Sequence, residues 1–219
     1  MIKVLPSSNP EKEENLVGYA RMLEDLGVEY LHCDVMDGEF VESKCLDIET
    51  IRKVRNNSNI LLDIHLMVNN PSKVIEDYIS LKPSIITIHY ESVRTSKEII
   101  ELSKRVRLKD ILFGLSIKPN TPVAELVGFA DCIDLILIMS VEPGKSGQKF
   151  IEASLDKVKD AKALSKGREI IIEVDGGINL DNCKSIIKAG ANFLVMGSAF
   201  YKSKEKSQLL HSVDKHYKA

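Results

Sequence analysis

Residues 28–38, VEYLHCDVMDG, place an imidazole, a thiol and two carboxylates directly after a short apolar run and end in a glycine. The run at residues 28–31 is typical of a β-strand, in which successive side chains point to opposite faces. His32 and Asp34 should then point to one face and Cys33 to the other. An imidazole beside a carboxylate at a strand end is how a catalytic metal site begins, and other strands must supply the remaining ligands.

Short β-branched runs like this one recur along the chain, and polar segments with helical periodicity separate them. In residues 13–26, for example, Leu16, Ala20, Leu23 and Leu26 fall on one helical face. Runs that are apolar throughout are typical of buried parallel strands, and strict alternation of strand and helix indicates right-handed βαβ units. The eight predicted strands are residues 2–5, 28–33, 60–66, 85–89, 111–117, 133–139, 170–174 and 193–196.

Composition excludes several classes of protein. A net charge of −2, from 30 basic and 32 acidic residues mixed along the chain, predicts no nucleic-acid partner. The four cysteines are far apart and form no CxxC, which predicts reduced thiols in a cytoplasmic protein. The N-terminal MIKVLPSS lacks a signal peptide's apolar segment, and the apolar run at residues 133–139 is too short to span a bilayer, so we expect no membrane partner.

Eight predicted strands fit either an open doubly wound sheet or a closed barrel. An open sheet gathers its ligand at one switch point, whereas a barrel collects functional residues from many strand ends. Neither GxGxxG nor GxxxxGK[ST] occurs, which removes the usual nucleotide sites of an open sheet. We therefore predict a single (β/α)8 TIM barrel of parallel strands over residues 1–219. The polar residues at or after the strand ends are Ser7, His32, Asp34, His65, His89 and Asp175.

Four of these residues predict a metal site. His65 ends the third run, LLDIHL, and should stand beside His32 and Asp34, while Asp175 ends the seventh run and reaches the mouth from across the ring. Taken alone, each of these four residues is more often a hydrogen-bonded polar group at a strand end. Their joint placement favours a role as metal ligands. Two imidazoles and two carboxylates suit one divalent transition metal, namely zinc, iron(II), cobalt or manganese.

Glycine clusters after the last three predicted strands indicate a phosphate site. In barrels the loops after strands seven and eight hold phosphate through backbone N–H groups, and glycine allows close approach. The methionines near strand ends, Met36, Met67, Met139 and Met196, are interpreted as flexible core filling. The glycine clusters comprise Gly144 and Gly147 of PGKSG, then Gly176 and Gly177, and finally Gly197 with Ser198.

The motifs HCDVMDGEFV, LDIHLMVNNP, ITIHYE, IMSVEPGKSGQKFI, IEVDGGIN and MGSAF, in this order, resemble those of the ribulose-phosphate 3-epimerase family. The resemblance covers nearly the whole chain. It implies an isomerase of carbohydrate metabolism, a metal-dependent (β/α)8 barrel that interconverts D-ribulose 5-phosphate and D-xylulose 5-phosphate of the pentose phosphate pathway. It further implies that Asp34 and Asp175 are both metal ligands and the two acid–base groups, which transfer protons through an enediolate.

The resemblance also assigns the residues that would contact a ketose phosphate substrate. Whether the chain forms a homo-oligomer stays open. The implied substrate-binding residues are Ser7, His65, Gly144, Lys145, Ser146, Gly147, Asp175, Gly176, Gly177, Gly197 and Ser198.

Three departures from the family pattern leave the substrate open. Lys145 and Ser146 replace an aromatic residue and a glycine in the sixth loop, Glu42 and Ser43 replace proline and asparagine, and Ser8 and Asn9 replace an apolar pair. One alternative substrate is D-allulose 6-phosphate, epimerised by the same chemistry. A phosphate-binding barrel lyase, with Lys118 as base, is a more distant alternative. A third alternative is a non-catalytic phosphosugar-binding protein, and the presence of all four candidate ligands argues against it.

Overall fold

Nine strands form one curled, mostly parallel sheet in the computed structural model of this protein, which describes residues 2–218. Their hydrogen-bonded order is β1-β9-β8-β7-β6-β5-β4-β2-β3, and every neighbouring pair is parallel except β2 and β3. The strands are β1 (Lys3–Pro6), β2 (Tyr30–Asp37), β3 (Lys44–Cys45), β4 (Leu61–Met67), β5 (Ile85–His89), β6 (Leu112–Ile117), β7 (Leu135–Met139), β8 (Ile171–Asp175) and β9 (Phe193–Met196).

All eight predicted strands are present, and the predicted α/β class is confirmed. The strand at residues 28–33 was bounded wrongly, because β2 continues to Asp37 and carries His32 and Asp34 inside it. The extension has backbone partners on both sides, since Met36 pairs with Met67 of β4 and with Cys45 of β3. The ends of the predicted domain, residues 1 and 219, lie outside the described residues.

The first and second strands meet at a single point. Ser7 and His32 form one parallel bridge, and the Ser8 N–H donates to the His32 carbonyl at 2.8 Å. No ladder of strand pairing continues from this bridge within residues 2–218. The eight parallel strands therefore curl far enough for the chain segments at the two edges of this part of the sheet, after β1 and within β2, to touch.

The helices cover one face of the sheet. Asp47 caps α2 (Ile48–Asn57) and Thr95 caps α4 (Ser96–Arg107) by accepting the N–H groups of Thr50 and Glu98, respectively. Pro71 occupies the first turn of α3 (Pro71–Ile79). Between β6 and β7 the connection is a 3₁₀ helix, Val123–Phe129. The α-helices are α1 (Leu16–Asp25), α2 (Ile48–Asn57), α3 (Pro71–Ile79), α4 (Ser96–Arg107), α5 (Ser154–Leu164), α6 (Cys183–Ala189), α7 (Ser198–Lys202) and α8 (Lys206–Lys218).

The two faces of the sheet bury different side chains. Cys33, with its neighbours Leu31 and Val35, packs in the large core beneath the helices. On the opposite face a smaller apolar cluster joins residues of β1, β5, β7 and β9, which the curl of the sheet brings into contact. His32 and Asp34 lie on this second face, so the predicted alternation of side chains along β2 is confirmed.

All four cysteines are free thiols. Across residues 2–218, each helix falls short of the length and apolar character that crossing a membrane requires.

Candidate metal and active site

A cavity of about 570 Å³ opens where the loops after β7, β8 and β9 meet the first two strands. Asp34 and Asp175 line it, while His32 and His65 are fully buried and do not reach its surface. Met36, Met67 and Met139 also line it, so these three fill the core and face the cavity at once. The predicted substrate-binding residues on its wall are Ser7, Gly144, Lys145, Ser146, Gly147, Asp175, Gly176, Gly177, Gly197 and Ser198.

The four predicted ligands lie together. One potential ligand atom from each of His32, Asp34, His65 and Asp175 falls within 4.8 Å of the other three. The register between β2 and β4 explains part of this, because Asp34 lies directly opposite His65. Asp34 Oδ1 is 3.3 Å from His32 Nε2 and 3.2 Å from His65 Nδ1. Their role as ligands and acid–base groups stays a prediction.

Ser7 and Ser8 orient Asp34 from the neighbouring strand. The Ser7 hydroxyl donates to Asp34 Oδ2 at 2.7 Å, and the Asp34 N–H donates to Ser8 Oγ at 3.3 Å. Ser8, a departure from the family pattern, is therefore buried and structural. Asn9 lies on the cavity wall, and its backbone N–H donates to Ser7 Oγ at 3.0 Å.

The residues present suit a divalent cation. His32 Nδ1 lies 2.6 Å from Asp63 Oδ2, so this nitrogen carries a proton and donates to the carboxylate. His32 Nε2, on the side of Asp34, is buried without a hydrogen-bond partner. A buried polar atom in this state is costly, and a cation within the cluster would satisfy it. The cluster of two imidazoles and two carboxylates is thus able to bind a metal.

The two candidate acid–base carboxylates have pKa values that move in opposite directions. Burial would raise the pKa of Asp34, but the imidazoles of His32 and His65 beside it hold that pKa well below its usual range. Burial, together with the negative charge of Asp34, raises the pKa of Asp175 to about 7. Two titratable groups with separated pKa values are typical of an acid–base pair.

The histidines also respond to their neighbours. Burial would lower the pKa of His32, but the adjacent carboxylates of Asp63 and Asp34 raise it well above its usual value. Burial lowers the pKa of His65. A metal ion would have to displace the proton from His32 Nε2, so binding should release protons.

Two glycines shape the loop that follows β8. Gly176 and Gly177 have φ values of 121° and 66°, in the region that favours glycine. A Cβ on Gly177 would clash with the Phe150 backbone nitrogen, and one on Gly176 would lie 2.5 Å from a methyl carbon of Val141. This loop therefore packs directly against the backbone after β7, where both border the cavity.

The altered sixth loop lies at the cavity mouth. Lys145 Nζ is 3.6 Å from Glu42 Oε2, and the two side chains are 71% and 91% exposed. Two departures from the family pattern thus pair with each other. Lys145 and Ser146 line the cavity, whereas Glu42 and Ser43 are not among the described residues of its wall. A phosphate contact by Lys145 or Ser146 stays a prediction.

Lys118, the candidate base of a lyase, is placed away from the cavity. Its ammonium lies 4.0 Å from the centre of the Phe40 ring, and the cavity wall within the described residues does not include it.

Sequence reasoning missed a set of buried polar residues behind the site. Asp63 and Glu173 are fully buried and contact His32 Nδ1 at 2.6 and 3.3 Å. His89, noted only as a polar strand end, lies 2.8 Å from His65. A signal was available, because β2, β4 and β8 each carry two polar residues at a spacing of two, which puts both on the inner face. The missed partners in these pairs are Asp63 and Glu173.

The group described as the ribulose-phosphate 3 epimerase family matches residues 3–201. This chain belongs to the ribulose-phosphate 3-epimerase family. It is 35% identical to the ribulose-phosphate 3-epimerase of Bacillus subtilis (strain 168) over 216 residues, which cover 97% of this chain and 98% of that protein. The resemblance predicted from the motifs is therefore confirmed.

Other members of the ribulose-phosphate 3-epimerase family and one solved structure extend the comparison. The cytoplasmic isoform of rice, Oryza sativa subsp. japonica, is 34% identical, over 97% of this chain and 93% of its own length. The crystal structure of a 3-hexulose-6-phosphate synthase covers 98% of this chain and 96% of its own, with a TM-score of 0.69 at 12% identity. At that identity the likeness concerns the fold alone.

Proposed function

We propose that this chain is a metal-dependent 3-epimerase that interconverts D-ribulose 5-phosphate and D-xylulose 5-phosphate. The observation that carries the proposal is the pair Asp34 and Asp175, which line one cavity and have pKa values displaced in opposite directions. Inverting a carbon beside a carbonyl requires removal of a weakly acidic proton and delivery of another to the opposite face. Two carboxylates in different protonation states meet this requirement.

The chain's own residues supply most of the chemistry. Asp34, held ionised by Ser7 and the two histidines, removes the C3 proton to give an enediolate, and Asp175 delivers a proton from the opposite side. In the reverse direction the two carboxylates exchange roles. His32, Asp34, His65 and Asp175 would hold a zinc, iron(II), cobalt or manganese ion, which would supply positive charge to stabilise the negative charge that develops on the substrate.

The loops after β7, β8 and β9 would hold the phosphate. Gly177 and Gly197 border the cavity without side chains, so backbone N–H groups can approach an anion there. Lys145 lies on the same wall, and its ion pair with Glu42 is exposed. Exposed pairs contribute only about 0–1 kcal/mol, so the ammonium is free to exchange Glu42 for a phosphate.

The proposal includes a closed (β/α)8 barrel as one catalytic domain. Its support is the Ser7–His32 bridge, which joins the first strand to the second. The free cysteines and the relative named as a cytoplasmic isoform support a cytoplasmic location.

A proton-exchange assay tests the epimerase. In deuterated water the wild type should convert D-ribulose 5-phosphate to D-xylulose 5-phosphate and place deuterium at C3. Asp34→Asn and Asp175→Asn should each lose at least ~100-fold in turnover, because each removes an acid–base group. Asp77→Asn makes the same chemical change at an exposed position on α3 and should leave turnover unchanged.

Two other results would change the assignment. If Lys118→Ala abolished activity while both Asp variants kept it, a lyase would replace the epimerase. Turnover of D-allulose 6-phosphate well above that of D-ribulose 5-phosphate would move the assignment to the hexulose phosphate.

A further inference from the structure

A chain of polar side chains leads from His65 away from the cavity. His65 Nε2 lies 2.8 Å from His89 Nε2, and His89 Nδ1 lies 3.3 Å from Glu91 Oε2. Both rings are fully buried, and they stack with their centroids 4.9 Å apart. Three of the four ring nitrogens therefore face a partner within this set of three residues.

Glu91 is anchored as a hydrogen-bond acceptor. Its Oε1 accepts the Lys118 backbone N–H at 2.7 Å and also the Thr121 hydroxyl. Both donors belong to the segment that follows β6, so they hold the carboxylate in place. Its second oxygen, Oε2, is left to face His89 Nδ1.

This anchoring determines which nitrogen of each ring carries the proton. An ionised carboxylate only accepts, so His89 must donate from Nδ1, and a neutral imidazole then has an accepting Nε2. His65 must therefore donate from Nε2, which leaves a lone pair on its Nδ1. That lone pair faces Asp34 Oδ1 at 3.2 Å, and a cation can link two such acceptors.

We propose that Glu91 is a positioning residue that fixes the tautomer of His65 through His89, so that His65 Nδ1 is free to bind a metal. The use of that nitrogen by a metal rests on the proposed function. The tautomer itself does not, because it depends on whether Glu91, which two donors anchor, or Asp34 receives the proton that the two rings can offer.

Glu91→Gln should reverse the direction of the hydrogen bonds from residue 91 through His89 to His65, while the side chains keep their positions. The amide oxygen would accept from Lys118 and Thr121, so the amide NH₂ would face His89 Nδ1 and donate to it. His89 would then carry its proton on Nε2 and donate to His65 Nε2. His65 would be protonated on Nδ1, the atom that faces Asp34.

Two measurements test this prediction. Nitrogen-15 NMR of metal-free protein labelled in its five histidines reports which ring nitrogen carries each proton. We expect Nε2–H on His65 and Nδ1–H on His89 in the wild type, and the reverse in Glu91→Gln. Titration with Co²⁺ should give a 10- to 100-fold weaker affinity for Glu91→Gln, the usual loss when a group that orients a ligand is removed.

Glu125→Gln is the matched control. Glu125 accepts a hydrogen bond from Tyr90, the residue beside Glu91, at 2.8 Å, whereas the described hydrogen-bond partners of the His89 ring are His65 and Glu91. This variant should keep the wild-type tautomers and Co²⁺ affinity, so a general effect of losing a carboxylate near β5 would be recognised.

The outcomes separate this proposal from the proposed function. A wild-type His65 that carries its proton on Nδ1 would overturn the proposal, even if Glu91→Gln failed to fold. Unchanged tautomers in folded Glu91→Gln would overturn it too, whereas Co²⁺ binding by the wild type would leave the metal-dependent function standing. The expected tautomers without any Co²⁺ binding would support the role of Glu91 and refute the metal-dependent epimerase.

Discussion

At the scale of single residues, environment divides chemically identical side chains into different roles. Asp34 and Asp175 are both aspartates on one cavity wall, yet only Asp34 accepts a hydrogen bond from a serine and lies within 3.3 Å of two imidazoles. Asp175 is desolvated and lies near the charge of Asp34, so it retains its proton to higher pH. Neither pKa could be read from the sequence, because each depends on which strands are neighbours.

The raised pKa of Asp175 predicts how metal-free protein responds to pH. A group whose pKa rises on folding, here from 3.8 to about 7, binds its proton more tightly in the folded state. Its contribution to stability is present below about pH 4 and is lost as the pH rises through about 7. We expect the denaturant midpoint of chelator-treated wild type to fall across this window.

Asp175→Asn removes the titrating group and should flatten that dependence. The control is Asp181→Asn, another aspartate on the cavity wall, at the start of the segment leading into α6. If the denaturant midpoint of Asp175→Asn still falls with pH as it does in the wild type, another group controls the pH response.

At the scale of elements, backbone conformation and close packing act together in the loop after β8. Gly177 has a φ of 66°, and an added Cβ would meet backbone atoms of residues 148–150. Gly167 has a similar φ of 78°, but an added Cβ there would meet nothing within 4 Å. The two positions separate the conformational cost of a side chain from its steric cost.

Gly177→Ala should therefore destabilise the protein more than Gly167→Ala. The left-handed conformation costs about 1–2 kcal/mol for either alanine, and overpacking adds about 1–3 kcal/mol at Gly177 alone. Chemical denaturation of both variants measures the difference in free energy of unfolding. Equal losses would mean that the loop after β8 moves freely away from β7, contrary to the packing described.

Much of the architecture follows from patterns within single elements. Apolar runs placed all eight parallel strands, and the period of two correctly put His32 and Asp34 on one face and Cys33 on the other. The end of β2 was missed because its last residues are held by partners on β3 and β4, not by local preference. Likewise, the contact between His65 and His89 depends on how β4 and β5 align, which no local pattern specifies.

At the scale of the whole molecule, the predicted ligands connect distant parts of the sheet. His32 and Asp34 lie on β2, His65 on β4, and Asp175 on β8, which the sheet order separates widely from both. A metal bound to all four would join these strands at one point. Metal binding should therefore stabilise the entire fold, because the unfolded chain has no such site.

Removal of metal by a chelator should lower the melting temperature and abolish epimerase activity, and both should return when metal is restored. Binding at a free metal concentration 1,000 times the Kd adds about 4 kcal/mol to the free energy of unfolding. For a chain of this size, that corresponds to a rise of roughly 8–16 °C in melting temperature. Differential scanning calorimetry with and without chelator measures the shift. The melting temperature of His65→Ala should no longer change with chelator. His211→Ala removes an exposed histidine on α8 and should show the same change as the wild type. A wild type whose melting temperature and activity both ignore the chelator would contradict a metal held by β2, β4 and β8.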